Sequence, residues 1–209
     1  MSREDSRELT TQRLLDAGEK LFSKKGLDAT SVEDIAAAAG YSRGAFYSNF
    51  SSKDDLFIEL LRREHQHTTD EFDAVHDDSL TVEQIQARTL QLYSQLWRDN
   101  DCFMMWTEAR MLAARDTRFR AKLNALMAEK RDRIAGFIGY FYGRLGVTPP
   151  EPPEIMAMGF MSLAEGVRLS MLSSPTDMTQ PVAESLLSLF AGAIMQVAMI
   201  EARSTHRRG

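Results

Sequence analysis

Arg43, Gly44, Tyr47 and Ser48 crowd into "SRGAFYSNF", residues 42–50. Each suits contact with a polyanion whose bases present readable edges. A guanidinium forks onto guanine O6 and N7, a contact worth about 1–3 kcal/mol of discrimination. Tyrosine and serine hydroxyls donate to phosphates, which sets register without carrying sequence information. A glycine lets backbone come close to whatever lies opposite. The spacing supports a common face: at about 100° per residue from Arg43, Tyr47 falls near 40°, Gly44 near 100° and Ser48 near 140°. Ala45, Asn49 and Phe46 fall between about 200° and 300°, so Phe46 roots the segment in a core while the first four point outward.

Other chemistries find little to work with. Cys102 is the only cysteine, so neither an intrachain disulfide nor a thiolate cluster can form. His65 and His67, two apart on an expected helix, diverge by about 200°, a poor arrangement for sharing a metal. Asp73, His76 and Asp77 read as a solvated charged turn. No catalytic residue, metal or cofactor is expected.

The elements that must hold the outward set are helical. Leu14, Ala17, Leu21 and Phe22 recur at helical spacing ahead of Gly26, predicting a first helix from about Arg7 to Lys24. "TSVE" offers a capping box in which Thr30 and Glu33 exchange hydrogen bonds, starting a second helix that buries Val32, Ile35, Ala36 and Ala39 and closes at Gly40. Ser42 is suited to cap a short third helix, and Ser51 or Ser52 a fourth with Leu56, Phe57, Leu60 and Leu61 on its buried stripe. Further helices are expected near 81–99, 102–114, 117–143, 154–173 and 179–202, with proline-rich "TPPEPPE" as a break. Two helices joined by a tight glycine turn, the second short, form a helix-turn-helix, whose second helix enters the DNA major groove.

Residues 30–57, "TSVEDIAAAAGYSRGAFYSNFSSKDDLF", resemble the helix-turn-helix of the TetR family of transcriptional regulators. That pattern runs from a threonine-led helix with Ile-Ala through Ala-Gly and Ser to Gly, an aromatic pair ending in Tyr, a Phe, and Lys followed by Leu. The resemblance implies DNA contact from Thr30, Ser31, Ser42, Arg43, Gly44, Tyr47, Asn49 and Lys53, with Arg43 as base reader and Tyr47 and Lys53 on phosphates. Ser48 joins them by its angle. Thr30 and Ser31 serve equally well as caps, and the angular reading turns Asn49 inward. Two departures stand out: Tyr41 replaces a small aliphatic residue, and Ser48-Asn49 replaces a frequent Trp-His pair.

Beyond this quarter of the chain only the helical plan agrees with the family. Eleven of 12 methionines lie after residue 100, among Trp97, Phe103, Trp106, Phe137, Tyr140, Phe141 and Phe160. Flexible, polarizable thioethers beside aromatics can repack around varied apolar ligands, or simply fill a core. Met105, Trp106, Glu108, Phe137, Tyr140 and Phe160 are the ligand candidates, while Glu165 and Arg168 satisfy one another if buried. In "PVAESLLSLFAGAIMQVAMI", Val182, Leu186, Leu189, Ala193 and Val197 form one stripe with Leu187, Phe190 and Ile194 beside it, too wide for one buried face. With the preceding helix, which carries Gly159, Ala164 and Gly166, this segment is expected to form the two-helix-per-subunit homodimer interface typical of the family.

Composition sets the remaining bounds. The net charge of −5 argues against a nonspecific polyanion binder; residues 1–53 hold eight basic and eight acidic side chains, leaving 17 against 22 after them, so any DNA surface is a local patch. The polar start "MSREDSRELT" lacks a secretory h-region, and no uninterrupted apolar run nears the ~20 residues of a membrane span, so a cytoplasmic location without membrane is expected. The reading is an all-α protein: a three-helix helix-turn-helix domain over 1–53 running into a linking helix 52–74, then a helical ligand-binding and dimerisation domain over 54–209. Its expected function is a sequence-specific regulator, a repressor relieved by a small hydrophobic or aromatic effector, with double-stranded operator DNA as partner and no enzymatic activity. The alternative is a ligand-binding or scaffolding helical protein with a vestigial helix-turn-helix.

Overall fold

The structure, a computed structural model, describes the backbone of residues 3–73, 77–96 and 101–206 and the side chains of 4–66, 77–91 and 103–203. Among these residues every regular element is a helix: α1 (Arg3–Lys25), α2 (Val32–Ala38), α3 (Arg43–Tyr47), α4 (Lys53–Asp73), α5 (Val82–Leu96), α6 (Asp101–Arg115), α7 (Thr117–Leu145), α8 (Pro153–Ser173) and α9 (Gln180–His206). The chain divides into two compact units. One comprises Met1–Gln66 with Asn100–Leu126, the other His67–Asp99 with Met127–Gly209.

In the first unit α2 packs on both α1 and α3, and α6 packs on α1. Phe57 of α4 meets Phe22 edge to face at 5.1 Å and stacks on Phe119 at 6.1 Å. Leu56, Phe57, Leu60 and Leu61 are all buried, as their spacing predicts. Burying each such side chain contributes roughly 1.5–3 kcal/mol. The α2–α3 turn closes on Gly40 in the left-handed region at φ 78°. The Gly40 amide donates to Ala37 O at 3.1 Å and the Tyr41 amide to Ala36 O at 2.8 Å, the paired bonds that end a helix when a glycine follows it. Tyr41 thus supplies the outer of the two bonds, and its half-buried side chain sits where an apolar residue commonly packs back on the helix.

Α2 starts one residue later than expected. Ser31, not Thr30, is its N-cap: the Ser31 hydroxyl accepts from the Asp34 amide at 3.1 Å, and the Asp34 carboxylate accepts from the Ser31 amide at 3.1 Å. "TSVED" holds overlapping Thr-x-x-Glu and Ser-x-x-Asp pairs, and burial decides between them, because Thr30 is only 1% exposed and donates its hydroxyl to Gly26 O.

The second unit is built around α7, α8 and α9, with α5 packed on α9 and α8 on α9. One of its clusters joins Ile85, Phe137, Ile138, Phe141, Tyr142, Ala157, Met195 and Ala198. The Tyr142 hydroxyl donates to Ile194 O at 3.1 Å. Arg144 fastens the turn before α5, donating to Leu80 O at 2.8 Å and Asp78 O at 3.1 Å. Pro153 opens α8 at a position where a missing amide proton costs nothing. Pro153–Ser173 and Gln180–Arg203 are long and apolar enough to cross a membrane by length and composition. Neither forms an uninterrupted apolar run, because the apolar content is interleaved with Ser, Gly, Gln and single charges, and the core helix of a globular protein meets the same length and composition.

Candidate nucleic-acid interface

The α3 helix is five residues long and takes its orientation from its two ends and one root. At its start the Ser42 hydroxyl accepts from the Ala45 amide at 3.3 Å. Its root is Phe46, fully buried, with the Phe50 ring at 5.7 Å and the Tyr47 ring edge-on at 5.4 Å. At its end, Asn49 Nδ2 donates to Ala45 O at 2.8 Å while Asn49 Oδ1 accepts from the Thr11 hydroxyl of α1 at 3.0 Å. Arg43, Gly44, Tyr47 and Ser48 are all exposed.

On that face the Arg43 guanidinium lies over the Tyr47 ring, 5.5 Å from its centre, and Nη1 pairs with Glu33 Oε1 of α2 at 2.8 Å. The Tyr47 hydroxyl first, and then the Glu33 carboxylate, stabilise its charged form and push its pKa above the ordinary arginine value. Gly44 leaves open space: a Cβ there would meet only Ser42 Oγ, at 3.7 Å. Ser48 donates its hydroxyl to Gly44 O at 3.0 Å, which leaves its oxygen free to accept.

Beside α3, Asp34 is held down to about 2, chiefly by the Lys25 ammonium at 2.7 Å and then by the Ser31 amide. Both carboxylates at the start of α2 therefore have a cation: Lys25 for Asp34 and Arg43 for Glu33.

Three sequence-expected contact residues have inward duties. Thr30 is buried, so its side chain offers no surface to DNA, which corrects that expectation. Asn49 spends both ends of its amide on α1 and α3, as its angle indicated and the resemblance did not. Lys53 turns its ammonium onto Leu27 O at 2.7 Å and Thr30 O at 2.8 Å, leaving one proton of three for any other partner. Glu33 was missed. Assigning it to the cap of α2 concealed it, and the one-residue shift of that cap frees its carboxylate for Arg43.

The ligand candidates do not form a single set. Met105, Trp106 and Glu108 belong to the first unit, where Trp106 Nε1 donates to Glu64 Oε2 at 2.7 Å and Glu108 Oε2 accepts from the Leu27 amide at 3.0 Å. Phe137, Tyr140 and Phe160 belong to the second. Phe137 and Tyr140 share one cluster, whereas Phe160 packs with Ala191 and Leu90 in another.

The family model for bacterial regulatory proteins of the tetR family matches residues 14–60, a span containing α2, α3 and the contacts just described. The amino-terminal region, residues 14–60, is thus similar to the DNA-binding domain of that family. The HTH-type transcriptional regulator YwcC of Bacillus subtilis is 51% identical over 57 residues, 27% of this chain and 26% of that protein. The HTH-type transcriptional repressor KstR2 of Rhodococcus jostii is 49% identical over 49 residues, 23% of this chain and 24% of that protein. The chain thus spans about a quarter of the length of these curated relatives. Similarity of fold reaches further: a TetR-family regulator from Rhodococcus sp. superposes with a TM-score of 0.75 at 19% identity, covering 90% of this chain and 99% of that one. As in that fold, the described residues are all helical, with a helix-turn-helix domain ahead of a helical domain.

Proposed function

We propose that this chain is a homodimeric tetR-family transcriptional regulator, a repressor in its DNA-bound form, that reads a two-fold operator with α3 in the major groove. One observation carries the reading: α3 is rooted by Phe46 and presents Arg43, Gly44, Tyr47 and Ser48 together on one exposed face. Arg43 is the base reader, Gly44 permits close approach, and Ser31, Ser42, Tyr47 and the remaining proton of Lys53 serve the phosphates, while Ser48, its proton engaged by Gly44 O, offers only an acceptor to the DNA.

Dimerisation through α8 and α9 is supported by large apolar side chains left in the open on both: Leu169 and Leu172 on α8, and Leu189, Phe190, Val197 and Ile200 on α9. The same exposure accounts for two apolar helices without a membrane. Glu165 and Arg168 lie within α8, at positions that a span through lipid disfavours. Trp106 and Glu108 already use polar atoms inside the first unit, so relief by a small apolar or aromatic effector rests on the methionine and aromatic content of the second. Phe137, Tyr140 and Phe160 are its candidates there. This reading assigns the chain a cytoplasmic location and no catalytic step.

Selection from a random duplex pool tests the function. The expected outcome is enrichment of a pseudo-palindrome with half-sites about 34–36 Å apart, one helical turn, bound by a species that sediments as a dimer. No enrichment by the folded protein contradicts it.

A further inference from the structure

A carboxylate beside the base-reading arginine is costly on a surface meant for a polyanion, and Glu33 occupies that position. Arg43 is the only basic residue of α3. Its Nη1 lies 2.8 Å from Glu33 Oε1, with the two side chains 64% and 56% exposed. In water such a pair contributes little to stability. Its consequence arises on docking, when water leaves and the local dielectric falls.

We propose that Glu33 is a specificity-determining residue of the DNA interface, holding Arg43 for bases and against phosphates. The inference rests on the DNA-binding reading above. A guanidinium carries five N–H donors in a planar fork. With Nη1 on Glu33 and a further donor toward the Tyr47 hydroxyl, the five-donor fork still has N–H groups for guanine O6 and N7. A phosphate contact by Arg43 would bring an anion toward the Glu33 carboxylate, so the wrong pose is penalised while the base-reading pose keeps every charge paired. Asp34 cannot take over this role, because its carboxylate is engaged by Lys25 and the Ser31 amide.

Glu33→Gln preserves shape and removes the charge. Binding is measured by fluorescence anisotropy across a salt series, using the duplex that the wild type selects and the same duplex with its half-sites scrambled. The variant is expected to bind the scrambled duplex several-fold more tightly, with a salt slope steeper by about one phosphate contact. Its preference for the selected duplex should fall by about tenfold, within the range of one arginine–guanine contact. In an Arg43→Ala background the same substitution should leave the preference unchanged. Equal tightening on both duplexes, or an undiminished effect without Arg43, overturns the proposal. A wild type that selects no duplex overturns the DNA-binding reading itself, which is a separate result.

Discussion

Gly44 separates the demands of folding from those of DNA more cleanly than any other residue on α3. A Cβ at this position meets only Ser42 Oγ at an ordinary 3.7 Å, so the free protein has room for alanine. Alanine is also the better helix former by about 1 kcal/mol. Gly44→Ala is therefore expected to leave thermal stability equal or slightly raised while operator affinity falls about tenfold, as one methyl pushes the helix off the base edges. Melting curves with anisotropy titrations check this, and unchanged affinity would mean that another face meets the DNA. At this scale the sequence was informative where a residue answers to its near neighbours. The angular positions of Arg43, Phe46, Tyr47 and Asn49 follow from helical geometry alone. Thr30 and Ser31 did not resolve, because both motifs satisfy the same capping geometry and only burial, a long-range property, separates them.

The short α2–α3 pair depends on longer elements to hold it. The Leu27 peptide, in the turn leading to α2, is gripped on both sides: Glu108 of α6 accepts from its amide and Lys53 of α4 donates to its carbonyl. Gly26, at φ 79°, brings the chain so close to Glu108 that a Cβ would lie 2.6 Å from Oε1. Lys53→Met should thus cost about 1–3 kcal/mol by leaving two carbonyls without their charged donor. Urea denaturation measures it, and a lysine serving phosphate alone would show no loss. Helix limits set by local signals were legible: Ser42 caps α3, the proline-rich break precedes α8, and Gly40 closes α2. The grip on Leu27 was not, since residues 26 and 81 apart in sequence leave no periodic trace. Nor did the pattern reveal that α6 belongs to the same compact unit as the helix-turn-helix.

For the whole molecule, the wide apolar stripe of α9 was legible because it exceeds what one buried face requires. Its division was less so. Ala183, Leu187, Ala191, Met195 and Ala198 face the core, while Leu189 and Ile200 stand 65% and 56% exposed, a surface suited to a second copy. In the proposed dimer, two copies related by a two-fold axis would present two α3 helices, each Arg43 on its own half-site, so a single substitution would appear twice on the operator. The most direct test of the account is the base-by-base specificity profile of wild type and Arg43→Ala on the selected duplex. Loss of preference confined to one position in each half-site, the two related by the operator dyad, is the predicted result. A profile identical to that of the wild type would contradict the assignment of α3 as the reading helix.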